Sequence, residues 1–223
     1  MSFTQEDVLK YGVKLIVIFM AIPFHEFAHA WAANKLGDNT PSYQGRLTLN
    51  PLAHIDPIGA LCIFFTGFGW GRPVQVNALN FKKYRKGMAL TAAAGPISNI
   101  ILGTVGMIFY KFMYAAFLTN PSNEGLMWGY LIFQYFTLIN VGLAAFNLIP
   151  IPPLDGSKIM SYFAPPKVDK FMADNQLYIT LGFMLLIISG ALNRPLGWVQ
   201  EGMFWCIDKL TIWVDPIVKA IIK

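Results

Sequence analysis

Apolar residues occur along this chain in long runs that short polar connections separate. Three of the runs contain no Asp, Glu, Lys or Arg: residues 87–110, 125–154 and 175–193, which number 24, 30 and 19. A helix needs about 20 apolar residues to cross a bilayer, so each run has roughly the length of one membrane span. The pattern therefore predicts a membrane protein that is composed of helices.

Two more apolar segments lie at the ends of the chain. Residues 8–33 predict a first helix, and residues 196–222 predict either a sixth span or a helix in the membrane interface, because acidic residues recur there every seventh position. Residues 58–70 are too few to cross, and we expect them to enter the bilayer and return. The predicted fold is an all-α polytopic protein with about five to six transmembrane helices, this re-entrant loop, and short strand-like membrane-associated segments at 43–49 and 74–76.

Composition supports this interpretation and excludes one class of partner. The chain is 55% hydrophobic and only 13% charged, with a mean hydropathy of +0.49. Its net charge of +5 comes from basic residues in short loops rather than a continuous basic stripe, so we expect no nucleic acid partner. The N-terminal segment lacks a small-residue cleavage site, so we expect the first helix to be retained. We expect one membrane-embedded domain over 1–223, with its core at about 8–160 and C-terminal helices at about 176–223.

The first apolar helix contains three polar residues that need an explanation. His25-Glu26-Phe27-Ala28-His29 has the spacing His-Glu-x-x-His, which puts both imidazoles on one helix face, where they can share a tetrahedral metal ion. Glu26 is then close enough to meet a metal-bound water. The alternative is a pair of core histidines satisfied by hydrogen bonds. Burial of two imidazoles and a carboxylate in a membrane helix costs several kcal/mol of free energy unless these groups are paired, hydrated or metal-bound.

A catalytic zinc site usually has three protein ligands, so a further ligand should come from elsewhere in the chain. Asp155 follows the end of the 126–149 segment, and His54 and Asp56 lie in an earlier loop. We favour Asp155 over His54 and Asp56. Pro-Leu-Asp-Gly is also good turn chemistry, and Asp155 can serve in both roles.

Three motifs together resemble the site-2 protease family of intramembrane zinc metalloproteases, in its compact branch without PDZ or CBS domains. They are His25-Glu26-x-x-His29, Gly95-Pro-Ile-Ser-Asn99, and Asn147-x-x-Pro-x-Pro-x-Leu-Asp155-Gly156, in the family's order. The resemblance covers about residues 10–160. It implies hydrolysis of a peptide bond in the transmembrane segment of a substrate protein, with one catalytic Zn²⁺ on His25, His29 and Asp155 and with Glu26 as the base.

The resemblance also implies that Asn147 positions the substrate or polarises its scissile carbonyl, and that Asn99 does similar work at the mouth of the site. Both amides could instead join helices by packing. The implied partners are a transmembrane protein substrate and the lipid bilayer, and a homo-oligomer is one alternative for the assembly. Without regulatory domains, control would come from partners, lipids or prior trimming of the substrate.

Zinc ligands must lie at one depth, which constrains the topology. The first helix and the 126–149 segment should run parallel, with 88–117 crossing between them. On the ligand side the loops then hold ten basic residues: Lys35, Arg46, Arg72, Lys82, Lys83, Arg85, Lys86, Lys158, Lys167 and Lys170. The positive-inside bias predicts a multi-pass protein of the cell membrane whose active site opens toward the cytoplasm.

Rival functions remain from other classes. A transporter or channel would also contain ionisable groups in membrane helices, and an inactive scaffold could bind membrane helices without cutting them. Neither rival needs Glu26 and Asp155 at these spacings. For the protease, we expect the loop at 43–77 to hold an unwound substrate by added-strand pairing.

Overall fold

The computed structural model describes residues 5–66 and 70–222. Helices account for most of these residues. The helices are α1 (Gln5–Lys35), α2 (Thr40–Tyr43), α3 (Pro51–His54), α4 (Pro57–Thr66), α5 (Tyr84–Thr119), α6 (Glu124–Asn147), α7 (Asp155–Phe163), α8 (Pro166–Asp174), α9 (Gln176–Ile188), α10 (Asn193–Leu210) and α11 (Asp215–Ile222). Short 3₁₀ turns lie at Ala78–Asn80 and Ile212–Val214.

Fewer helices are long and apolar enough to cross a membrane than the sequence predicted. Within the described residues, α1, α5 and α6 meet this criterion, and α8 with α9 would make a fourth span if that pair, bent by 76°, counts as one. The prediction of five to six spans is therefore too high. The all-α membrane fold itself is confirmed.

Two segments account for the excess in the predicted number of membrane spans. Helix α9 has 13 residues, or about 20 Å at 1.5 Å per residue, against about 30 Å of hydrocarbon. The C-terminal segment that was one alternative for a sixth span is instead divided at Thr211, where α10 ends and a 3₁₀ turn leads into α11. Helix α4 has only 10 residues and is not among the spans, as expected for the segment 58–70, of which residues 67–69 lie outside the described part.

The strand-like segments are a second difference from the sequence prediction. Among the described residues no strand forms, and the β-bridge there joins Ile55 to Gly71. Residues 43–49 contain the end of α2 and the turns after it, and residues 74–76 belong to no helix or strand. The backbone N–H of Val74 donates to the side chain of Glu26 instead of to a strand, at 3.0 Å.

The three long helices pack as an antiparallel series. His29 of α1 contacts Thr91 of α5, whereas His25, one turn earlier, contacts Asn99. On the other side of α5, a Cβ at Gly106 would lie 2.6 Å from Thr137 Oγ1, so only glycine allows α5 and α6 to approach this closely. Asn99, earlier in α5, contacts Asn140, later in α6, so these two helices are antiparallel as well. Helices α1 and α6 therefore run in the same direction.

An ion-pair cluster joins the C-terminal helices to α5. The Nζ atom of Lys111 lies 2.8 Å from Asp208 Oδ1 of α10 and 2.8 Å from Asp215 Oδ1 of α11. Ile207, the residue before Asp208, is 1% exposed and packs beside Gly103 of α5. The end of α10 and the beginning of α11 are thereby held against the second half of α5.

The carboxylate of Asp38 ties the end of α1 to the segment that precedes α5. Its Oδ1 accepts hydrogen bonds from Thr40 N, Thr40 Oγ1 and Asn80 Nδ2, and its Oδ2 accepts one from Asn77 N at 2.7 Å. Burial of Asp38 raises the carboxyl pKa, but these four hydrogen bonds outweigh it and hold the pKa below its ordinary value of 3.8. Asp38 therefore fixes the position of the extended chain before residue 77.

Replacing Asp38 by Asn should destabilise the protein by about 1–3 kcal/mol at pH 6, because an amide N–H must then face a donor. The pKa of Asp38 is lower in the folded protein than its ordinary value of 3.8. The stabilisation by its carboxylate is therefore complete above pH 3.8 and is lost as the pH falls through the pKa of the folded state. Thermal unfolding in detergent should show a gap between wild type and Asp38→Asn that narrows under acid. Asp174→Asn, at an exposed carboxylate, is the control; an equal effect of both substitutions would contradict the prediction.

Candidate metal centre

Two imidazoles project from the second half of α1 toward α5. His25 and His29 are each 8% exposed, and their Nε2 atoms lie 3.0 Å apart. The i, i+4 spacing accounts for this proximity, because residues four apart lie above one another on a helix face. The remaining ring nitrogens contact α5: His29 Nδ1 lies 2.7 Å from the carbonyl oxygen of Thr91, and His25 Nδ1 lies 2.6 Å from Asn99 Oδ1.

A carboxylate from a distant part of the chain completes the group. Asp155, the first residue of α7, places its Oδ2 at 3.2 Å from His25 Nε2 and 3.1 Å from His29 Nε2. The tight connection before α7 depends on the next residue, because a Cβ at Gly156 would lie 2.3 Å from the carbonyl oxygen of Leu148. Glycine after the aspartate thus lets α7 start directly beneath the end of α6.

The two other candidate ligands from the sequence lie elsewhere. His54 is fully buried, and its Nε2 donates to the carbonyl oxygen of Thr48 at 2.7 Å. Asp56 Oδ1 accepts from Gly59 N at 2.8 Å at the start of α4. Among the described residues, the group of three with ligand atoms all within 4.8 Å consists of His25, His29 and Asp155.

These three residues fit a zinc ion by their chemistry. The Thr91 carbonyl can only accept, so His29 carries its proton on Nδ1 and directs the Nε2 lone pair toward Asp155. Nitrogen and oxygen lone pairs that converge within 3.2 Å repel one another unless a proton or a metal cation lies among them. Two imidazoles and one carboxylate are a donor set that catalytic zinc sites use, with the Nδ1–H groups held by oxygen acceptors.

Glu26 lies next to this group and is held by the extended segment before α5. Its Oε2 accepts the hydrogen bond from Val74 N. Arg46 organises that segment from the other side, since its Nη1 donates to the carbonyl oxygens of Ala53 and Arg72. Burial lowers the pKa of the Arg46 guanidinium and the charge of Arg72 adds to this, while the charge of Glu26 opposes it. Glu26 therefore lies within electrostatic reach of a buried cation.

A cavity of about 480 Å³ adjoins the group of three and Glu26. Its opposite wall is largely apolar and comes from α9, through Phe183, Met184 and Ile187. Thr180 Oγ1 of α9 donates to the carbonyl oxygen of Pro152 at 3.3 Å. A cavity that is polar on the α1 side and apolar on the α9 side suits an apolar peptide segment.

The two asparagines for which the family resemblance implied a role in substrate positioning occupy different places. Asn147 lines the cavity, and its Nδ2 donates to the carbonyl oxygen of Leu143. Asn99 is fully buried and lies between His25 and Asn140, a contact with the imidazole rather than with the cavity. Asn99 and Asn147 therefore have different surroundings, although their motifs had implied similar roles for both.

Sequence reasoning overlooked Asn140 and the Thr91 carbonyl. Asn140 lies two helical turns before Asn147 in a run without charged residues, and an isolated amide in an apolar span was a signal that could have identified it. The contact of Thr91 is made by its main chain, so no side-chain pattern could have revealed it.

Comparison with known proteins decides the family. The model of Peptidase family M50 matches residues 123–189. The "Putative zinc metalloprotease YwhC" of Bacillus subtilis is 38% identical over 190 residues, which cover 82% of this chain and 81% of the relative. This chain belongs to peptidase family M50. The M50 assignment confirms the resemblance to site-2 proteases that the motifs indicated.

Two other relatives of this M50 protein are also named zinc metalloproteases. The "Putative zinc metalloprotease Rip2" of Mycolicibacterium smegmatis is 29% identical over 88% of this chain and 74% of its own length. The "Zinc metalloprotease MJ0392" of Methanocaldococcus jannaschii is 25% identical over 80% of this chain and 42% of its own length. No solved structure matches the chain. The M50 protein is a membrane-associated metalloendopeptidase with a zinc cofactor and a protein substrate.

Gly95 gives a direct test of how closely α5 approaches the metal centre. A Cβ at this position would lie 2.4 Å from His29 Nε2 and 2.7 Å from His25 Cε1. Gly95→Ala should therefore displace the imidazoles and weaken zinc binding about tenfold or more. Zinc affinity by chelator competition measures this, with helical content by circular dichroism as the check on folding.

Gly202→Ala is the matched control, because nothing lies within 4 Å of a Cβ at that position of α10. It should leave zinc affinity unchanged. Full zinc affinity in folded Gly95→Ala protein would mean that the imidazoles are not at the metal.

Proposed function

We propose that this protein hydrolyses a peptide bond in the transmembrane segment of a membrane protein substrate, with His25, His29 and Asp155 holding zinc and Glu26 acting as the base. One observation carries the proposal: the three donor atoms lie within 3.2 Å of one another on a cavity that Glu26 shares. Transport or scaffolding would require neither this donor set nor a carboxylate beside it.

The position of the site along α1 supports cleavage inside the bilayer. At 1.5 Å per residue, His25 and His29 lie about 15 Å and 9 Å before the C-terminal end of α1. Helix α1 is among the helices in the described part of the chain that are long and apolar enough to span a membrane. A bond that reaches this depth lies beneath the membrane surface, where a substrate helix hides its carbonyls and water is scarce.

The chemistry divides between the metal and the chain. When bound, zinc supplies a Lewis acid that lowers the pKa of water and polarises a carbonyl. Glu26 holds the transferred proton: its Oε2 is occupied by Val74 N–H, so Oε1 takes the proton from water and later delivers it to the amine of the leaving segment. Asn147, on the cavity wall, offers an amide to the substrate backbone.

Residues 72–77 offer a place for the substrate. They belong to no helix or strand and lie next to Glu26, and Val74 and Val76 line the cavity. A helical substrate must unwind before its carbonyls can react, and pairing with an extended segment would stabilise the unwound form. We therefore retain added-strand pairing as the means by which substrate is held, although the described residues form no sheet of their own.

The first test separates metal binding from proteolysis. Glu26→Gln should keep one zinc and the fold but lose about 10²–10⁴-fold in cleavage rate, because an amide cannot accept the proton. The measurement is cleavage of a fluorescently tagged single-span test protein in liposomes that also contain the enzyme. Glu201→Gln, at an exposed carboxylate on α10, is the matched control and should keep full activity.

Ligand variants complete this experiment. His25→Ala, His29→Ala and Asp155→Ala should each lose zinc and cleavage together, whereas His54→Ala should retain zinc. Undiminished cleavage by Glu26→Gln would overturn the mechanism. Loss of zinc from His54→Ala but not from Asp155→Ala would overturn the ligand assignment.

The second test concerns orientation. We infer a multi-pass arrangement in one membrane-embedded domain, with the core at about 8–160 and the C-terminal helices at about 176–223. The active site faces the cytoplasm in this arrangement, because ten basic residues lie in the loops at the C-terminal end of α1 and around α7 and α8.

Single cysteines should report this orientation in a background without Cys62 and Cys206. Lys83→Cys and Lys167→Cys should react with an impermeant thiol reagent from the cytoplasmic side, and Ser122→Cys from the opposite side. Asn39→Cys is the control for α4, because it should match Lys83→Cys if α4 does not cross. Labelling of Asn39→Cys and Lys83→Cys from opposite sides would contradict the arrangement.

A further inference from the structure

A chain of hydrogen bonds leads away from the candidate metal centre through two buried amides. His25 Nδ1 lies 2.6 Å from Asn99 Oδ1, Asn99 Nδ2 donates to Asn140 Oδ1 at 2.9 Å, and Asn140 Nδ2 donates to the carbonyl oxygen of Phe136 at 2.9 Å. Asn99 and Asn140 are both 0% exposed. The chain therefore connects α1, α5 and α6 without access to solvent.

The far end of this chain sets the direction of every bond in it. A main-chain carbonyl can only accept, so Asn140 must turn its NH₂ toward Phe136 and its oxygen toward Asn99. Asn99 must then turn its NH₂ toward Asn140 and its oxygen toward His25. A flip of either amide would place two oxygens or two NH₂ groups about 3 Å apart, at a cost of several kcal/mol in a buried site.

The oxygen of Asn99 decides which nitrogen of His25 carries the proton. Because Asn99 Oδ1 can only accept, His25 must be protonated on Nδ1, and its Nε2 lone pair then points toward His29 and Asp155. The opposite tautomer would direct an N–H group into the donor set and prevent His25 from binding a metal. Thr91 performs the same task for His29 directly, through its carbonyl oxygen.

We propose that Asn140 is a positioning residue that acts through Asn99 to hold His25 in its Nδ1–H tautomer, with the Phe136 carbonyl as the fixed end of the relay. The inference rests on the proposed ligand role of His25. Neither amide reaches the cavity, so Asn140 acts on the metal ligand and not on the substrate. Groups that orient a ligand imidazole typically change metal affinity 10–100-fold when they are removed.

Asn140→Leu removes the relay with little change in side-chain volume, and it leaves Asn99 free to flip. Zinc affinity by chelator competition should fall about 10–100-fold in the folded full-length protein in detergent. Thr137→Val is the matched control: Thr137 is a buried polar residue on the same helix that donates to the Phe133 carbonyl outside the relay. It should keep zinc affinity within about twofold, since no atom of the relay is changed.

A second readout follows the tautomer itself. The chain has only three histidines, so ¹⁵N-histidine labelling gives three rings, and His25→Gln identifies the signals of His25. In metal-free wild-type protein, Nδ1 of His25 should carry a proton, which it donates to Asn99 Oδ1. In Asn140→Leu protein, part of the population should move the proton to Nε2.

These experiments distinguish failure of the relay from failure of the proposed function. Unchanged zinc affinity in folded Asn140→Leu protein, or a loss equal to that of Thr137→Val, would overturn the relay. If Asn140→Leu does not fold, the wild-type spectrum decides: a proton on Nε2 of His25 would overturn the relay, and a proton on Nδ1 would support it. Failure of wild-type protein to cleave a membrane substrate would count against the proposed function and leave the relay intact.

Discussion

Buried hydrogen-bonding groups in apolar helices must find partners within the protein, and this constraint explains the arrangement around α1. His25 and His29 lie in a helix that could span a membrane, so neither imidazole can rely on bulk water. Helix α5 supplies the Thr91 carbonyl for one ring and Asn99 for the other. The packing of α1 on α5 is thereby fixed in rotation and in register, because a shift by one residue would separate both contacts.

Glycine makes these contacts possible by letting backbones come close. Gly95 brings α5 against the imidazoles, and Gly156 lets α7 begin under the end of α6. Gly71 lies on the third side, where a Cβ would lie 2.8 Å from the side chain of Ile22 and 3.2 Å from the His54 carbonyl oxygen. The metal centre thus lies among close backbone approaches. A larger side chain at Gly95 would displace the imidazoles, whereas at Gly156 and Gly71 it would displace the chain around them.

The sequence predicted local features well and long-range contacts less well. The spacing of His25 and His29 follows from helix geometry, and the apolar runs identified the three long helices. Span number was overestimated because the apolar content of α9 and of residues 196–222 gives no information about where a helix bends or breaks. The strands predicted at 43–49 and 74–76 did not form, since a strand needs a neighbouring strand. Residues 43–49 end α2 and form turns, and the backbone N–H of Val74 donates to the Glu26 carboxylate.

The polar residues show most clearly why the site could be predicted only in part. Asn99 and Asn147 both belong to motifs, yet Asn99 contacts a ligand imidazole and Asn147 lines the cavity. That difference depends on how α5 and α6 rotate against α1, which the helical period of one segment cannot determine. The same rotation brings Asn140 to Asn99, 41 positions earlier in the chain. Two buried amides are costly unless both are fully bonded. Their pairing in one direction satisfies that requirement and also directs the His25 lone pair toward Asp155, so one set of bonds serves both the packing of three helices and the chemistry of the site.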